Sequence, residues 1–267
     1  MTAGLRGASA DALAQLRQRL SSVGDASRVG DELFGVAALL REEPSLRRVA
    51  TDASTEADAK SGLVRSVLEG KVALETLDLV ADAASRRWTA TRDLADALEQ
   101  LGVEAVVRSA GDQAGRLDDE LFSVAQMVND NHELRSALSD PARSRADKAG
   151  LLTSLLEGKA LPATIALAKQ SLAGSYRTVT VALEEFGKIA AEVHGESVAR
   201  VTVAKPLADG ELQRLTDALG RHYGRSIHAN VVVDPSVLGG IRVEVGDDVI
   251  DGSVSSRLDT ARRQLAG

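Results

Sequence analysis

The sequence predicts a mainly α protein that closes with a small α+β domain. Three observations carry this: apolar residues recur at helical spacing as far as about Glu196, the period then drops to two, and the chain repeats itself at an offset of 88 residues without a gap. Asp31-Glu32-Leu33-Phe34 returns as Asp119-Glu120-Leu121-Phe122, and Leu68-Glu69-Gly70-Lys71 returns as Leu156-Glu157-Gly158-Lys159. Between them Leu46-Arg47 matches Leu134-Arg135, Asp52 matches Asp140, Lys60 matches Lys148, Gly62-Leu63 matches Gly150-Leu151, and Trp88 falls opposite Tyr176. Stacking helical repeats run to about 20–50 residues, so a longer unit is expected to close its own core. The expected division is a first helical bundle over residues 1–110, a second over 111–196 and a C-terminal domain over 197–267.

The first helix runs from Ala8 to Leu20, with Leu13, Leu16 and Leu20 on one face. The second starts near Asp25 or Ser27, both suitable N-caps, and carries Val29, Leu33, Val36, Ala37 and Leu40 until Pro44 interrupts. Its copy shows the same stripe in Leu117, Leu121, Val124, Ala125 and Val128. Each copy continues with a short helix ending near Asp52 or Asp140, a helix that stops at Glu-Gly-Lys, and two further helices. Gly70 and Gly158 are read as C-cap glycines. Read backwards, the offset lays the first helix over 96–108, Leu13 over Leu101, so one helix from Arg92 to Ser109 is expected to close the first bundle and open the second.

Ala199, Val201 and Val203, and later Ile227, Ala229, Val231 and Val233, alternate with polar residues and predict strands. Between them Asp209 is placed to cap a helix with Leu212, Leu215 and Leu219 inward. Gly239-Gly240 precedes a strand of Ile241, Val243 and Val245, Gly246-Asp247-Asp248 turns into Val249-Ile250, and a last helix from Asp251-Gly252-Ser253 carries Val254, Leu258, Ala261 and Leu265. The expected order is β-α-β-β-β-α.

Composition narrows the function. No cysteine means no disulfide, no thiolate nucleophile and no Cys-ligated zinc. A net charge of −7 opposes a phosphate-backbone partner, so no nucleic acid is expected. The longest apolar run, Leu33 to Leu40, is far short of a membrane span, and Met1 to Arg6 lacks a signal-like core. Aromatics are only 2% of residues, leaving Leu, Val, Ile and Ala to grip any partner.

The segment from Val233-Asp234-Pro235 through Gly239-Gly240-Ile241, Gly246-Asp247-Asp248 and Ile250-Asp251-Gly252-Ser253 resembles the C-terminal signature of the δ subunit of rotary F-type ATP synthases. The mitochondrial counterpart is the oligomycin-sensitivity-conferring protein. Ser256-Arg257-Leu258 resembles the family's last helix, and Glu133 to Pro141 and Lys148 to Leu152 resemble its helical domain. The likeness covers residues 118–267, with 30–110 an extra helical copy as in the long actinobacterial form. It implies a stator component without chemistry, at the cytoplasmic face of the membrane through its complex. The helical domain would take N-terminal helices of α subunits, and the C-terminal domain would hold the end of the peripheral-stalk b subunit. The implied structural signature is Gly239, Gly240, Gly246, Asp247, Ile250, Asp251, Gly252 and Ser253; Leu13, Leu16, Leu20, Val254, Leu258 and Leu265 are the candidate partner-binding faces. Some related chains carry a b-subunit anchor ahead of the δ region, and Met1 followed directly by a soluble helix is expected of a separate chain.

Sharper chemical readings fail on their residues. Lys71 and Lys159 are followed by Val72 and Ala160 rather than Ser or Thr, and no upstream glycine completes a phosphate loop. Gly239-Gly240 with Gly246 departs from the dinucleotide fingerprint. Asp247, Asp248 and Asp251 read as turn and cap rather than a cation site, and His132, His194, His222 and His228 lack metal-ligand spacing. Arg86-Arg87 and Arg221 with Arg225 read as solvated helix ends. No catalytic residue, metal, cofactor or small-molecule substrate is expected. The competing function is a free-standing helical adaptor.

Overall fold

The computed structural model describes residues 5–235, 237, 239–246 and 248–252, the side chain of Asp209 excepted. The expectations placed on Asp247, on Ser253 and on the last helix with Val254, Leu258 and Leu265 fall outside the described residues. The chain forms two compact units, residues 1–186 and 187–267.

Among the described residues, the regular structure of the first unit is all helical. It contains α1 (Ala8–Leu20), α2 (Ala26–Glu42), α3 (Pro44–Thr51), α4 (Ala57–Leu68), α5 (Leu74–Ser85) and α6 (Asp93–Ser109). There follow α7 (Ala114–Asp130), α8 (His132–Ser139), α9 (Arg145–Leu156) and α10 (Pro162–Gln170), and α11 (Val179–Val193) carries the chain into the second unit. The duplication is visible in lengths: α2 and α7 have 17 residues, α3 and α8 have 8, α4 and α9 have 12. Local chemistry sets the boundaries. Asp25 caps α2 by accepting the Arg28 amide at 3.1 Å, Pro44 and Pro162 stand at the first turns of α3 and α10, and Ser144 caps α9. Gly70 and Gly158 take positive φ of 71° and 73° just past α4 and α9, in turns closed by the Lys71 amide on Leu68 and the Lys159 amide on Leu156. Glu-Gly-Lys is therefore a helix stop in both copies.

α6 is the shared element. Leu94, Leu98, Leu101 and Ala105 lie in one core with Leu13, Leu16, Leu33 and Leu77 of the first copy. Val103, Val106 and Val107, on the opposite side of the helix by 100° per residue, are as fully buried. α6 packs on α1 and α2 and also touches α7 and α10. A helix apolar on both sides is one enclosed on both sides. Leu101 accordingly joins Leu13 in one core instead of repeating its role in a second.

The second unit contains β1 (Glu196–Val203), α12 (Asp209–Tyr223), β2 (Ser226–Val233), β3 (Ile241–Val245) and β4 (Asp248–Asp251) in a sheet of order β2-β1-β3-β4. β1 and β2 run parallel, joined through α12, while β1–β3 and β3–β4 are antiparallel. Ala199, Val201, Val203, Val243 and Val245 form its core with Leu219 of α12. Ala208, not Asp209, holds the cap position of α12, and its amide is taken by the Glu211 carboxylate at 3.0 Å. Val233, although level with Val203, is 45% exposed at the end of β2.

Candidate subunit-docking surfaces

The glycines of the C-terminal segment shape its turns. Gly239 and Gly240 take φ of 116° and 88° between β2 and β3, and Gly246 takes 60° in the β3–β4 turn, a region where a Cβ is strained. Gly252 donates its amide to the Ile241 carbonyl at 2.9 Å, and a Cβ there would lie 3.1 Å from that oxygen. Ile250 pairs with Val243 and Asp251 with Arg242 across the β3–β4 ladder. These residues build the β3–β4 hairpin and the turn that leads into it.

That hairpin does leave apolar surface outward. Val249 is 54% and Ile250 44% exposed, and β4 is an edge strand with no neighbour on its outer side among the described residues. An apolar edge of this kind invites a partner.

Leu13, Leu16 and Leu20 are placed the other way. They are buried in the first bundle, Leu16 at 0% exposure, where α1 packs on α5 and α6. The outward side of α1 is polar: Arg19 pairs with Asp82 at 2.9 Å, Arg86 pairs with Asp82 at 2.9 Å, and Arg86 also bonds Gln15. Burial alone would raise the Asp82 pKa, but these two arginines lower it on balance. Arg86 is thus engaged in holding α5 to α1.

Two duplicated clamps position the helices and escaped the sequence reading. Glu32 of α2 accepts Arg28 Nε at 2.9 Å with one oxygen, and the Ala73 amide at 2.9 Å and Thr76 Oγ1 at 2.5 Å with the other. Glu120 of α7 accepts Arg116 Nε at 2.7 Å, the Leu161 amide at 2.8 Å and Thr164 Oγ1 at 2.5 Å. Every member stands 88 residues from its counterpart, which was the available signal. Each glutamate satisfies one open amide, that of the N-cap residue Ala73 of α5 or Leu161 of α10, and places negative charge at that helix start. Burial raises both carboxyl pKa values, and the threonine, amide and arginine together lower them further, so both end below the usual range.

Lys60 is a different kind of polar burial. Its ammonium donates to the Arg86 carbonyl at 3.0 Å, and burial holds its pKa below the usual lysine range. His222 stacks edge-on against Tyr223 with centroids 4.9 Å apart, and Tyr176 meets Phe186 edge-on at 5.6 Å. Among the described residues no helix is long and apolar enough to cross a membrane.

Residues 95–265, from the first turn of α6 onward, match the family described as ATP synthase delta (OSCP) subunit. Along its whole length the chain is similar to curated proteins named ATP synthase subunit delta. It is 55% identical to that of Nocardioides sp. (strain ATCC BAA-499 / JS614), covering 98% of each chain. It is 45% identical to that of Kineococcus radiotolerans, covering 100% of this chain and 99% of the relative, and 44% identical to that of Streptomyces coelicolor, covering 98% and 99%. The extra copy ahead of α6 is therefore shared with relatives of the same length.

Proposed function

The chain belongs to the ATP synthase delta (OSCP) subunit family, and from that premise we propose how it does its work: as a tether gripped at both ends, with no chemistry of its own. It is a stator subunit of the peripheral stalk, linking the soluble catalytic head to the membrane-anchored stalk and so permitting proton transport to drive ATP synthesis. The observation that carries this is the match over nearly the full length of both chains at 55% identity.

In the finer reading, the helical part, made of the bundles over residues 1–110 and 111–196, meets the head and takes N-terminal helices of its α subunits. The domain over 197–267 holds the end of the b subunit at the cytoplasmic face. Rigid helices with aliphatic cores suit helix-in-groove recognition, and the exposed Val249 and Ile250 on β4 supply apolar contact for the stalk. A tether under torque must stay bound. Nanomolar affinity corresponds to about −12 kcal/mol, a value standard-size interfaces reach.

The test is depletion and return of the chain in energised membrane vesicles. Removing it should abolish proton-driven ATP synthesis while leaving ATP hydrolysis by the released head, and adding back about one chain per head should restore synthesis. Full coupling in vesicles lacking the chain, or ATP turnover by the pure chain, would overturn the reading.

A further inference from the structure

One buried carboxylate bonds to both helical copies at once. Glu99, on the shared helix α6, is 4% exposed. One of its oxygens accepts Arg41 of α2 at 2.8 Å, and Arg41 also reaches Asp96 at 3.0 Å. Its other oxygen accepts Ser175 Oγ at 2.8 Å and the side-chain amide of Gln170, the buried last residue of α10. Arg41 belongs to the first copy, Gln170 and Ser175 to the second.

Comparison between the copies shows that this junction has its own chemistry. The counterpart of Gln170 is Asp82, which sits between Arg19 and Arg86 on the outside of the first bundle. An aspartate at 170 would set a second anion against buried Glu99, whereas the amide donates to it. A buried carboxylate supplied with donors from both sides is costly to separate from either, because the side left behind loses its partner in a low-dielectric setting.

We propose that Glu99 locks the two helical copies into one cooperatively opening body, making the added copy a fixed extension of the family's helical domain and not a bead on a hinge. This stands independently of the stator reading, since it concerns the free full-length chain.

Native-state hydrogen exchange at low urea, read by mass spectrometry, tests it. Val64→Ala loosens a core residue of the first copy alone. If the copies open together, it accelerates exchange in α2–α5 and in α7–α10 by the same factor, within about twofold. In a Glu99→Ala background the same substitution should accelerate α2–α5 at least about tenfold more than α7–α10. Should Glu99→Ala fail to fold, Gln170→Leu with Ser175→Ala removes the second-copy side and is judged by the same ratio. Unequal acceleration with Glu99 present, or equal acceleration once the contacts are cut, would overturn the lock.

Discussion

Gly30 of α2 and Gly102 of α6 meet backbone against backbone. A Cβ on Gly30 would come 2.6 Å from Val106 Cγ2 and 3.0 Å from the Gly102 carbonyl oxygen, and a Cβ on Gly102 would come 2.6 Å from the Phe34 ring. Because both glycines sit inside helices, where glycine is disfavoured, their presence reflects the closeness of the crossing.

Gly30→Ala and Gly102→Ala should therefore each destabilise the helical unit by about 1–3 kcal/mol, overpacking outweighing the gain in helix propensity. Gly35→Ala, on the open side of α2 with nothing within 4 Å of the new methyl, should stabilise it by about 0.5–1 kcal/mol. Urea unfolding followed by far-UV circular dichroism separates the two signs.

The clamps make an additive prediction. Thr76→Val and Thr164→Val each remove one hydroxyl from a carboxylate and should cost about 1–2 kcal/mol. Since the clamps share no partner, the double variant should lose the sum within about 0.5 kcal/mol. A markedly smaller loss for either alone would mean that the arginine and amide suffice.

Acid sensitivity follows from the same glutamates. Their folded pKa values are depressed, so their contribution is complete above the unfolded carboxylate value of about 4.3 and is lost as pH falls through the lower folded value. Stability should fall steeply below about pH 4.5, and Glu32→Gln with Glu120→Gln should flatten that slope. An unchanged slope, measured as urea midpoints from pH 7 to 3, would assign acid unfolding to other groups.

Leu16 and Val249 separate core from contact. Leu16→Ala should cost about 2–5 kcal/mol, as a fully buried leucine does. Val249→Ser, at an exposed position, should change stability by less than about 0.5 kcal/mol. It should nevertheless weaken titration calorimetry binding to a peptide from the end of the stalk subunit at least tenfold. Equal affinity would place the stalk contact elsewhere.

Much of the helical fold was legible because its signals are local. Asp25, Pro44 and the Glu-Gly-Lys stops act on their own backbone, so the boundaries they set follow from the residue and its immediate neighbours. The switch of period at Ala199, Val201 and Val203 likewise marks a strand buried on one face. The clamps were half legible: Arg28 and Thr76 recur at 116 and 164, but recurrence does not say that they meet through Glu32 and Glu120.

What the sequence determined by itself was the duplication, the class of most described segments and the family, while Asp251, expected to open a last helix, ends strand β4. Which face of a helix meets which neighbour was decided only by tertiary structure. An apolar stripe such as Leu13-Leu16-Leu20 states that something covers it, and the same pattern serves an internal core or a partner's groove. The apolar residues on both sides of α6, the meeting of Gly30 with Gly102 and the donors gathered on Glu99 depend on residues about 70 positions apart being brought together. Burial is a property of the assembled surfaces, and no single segment contains it.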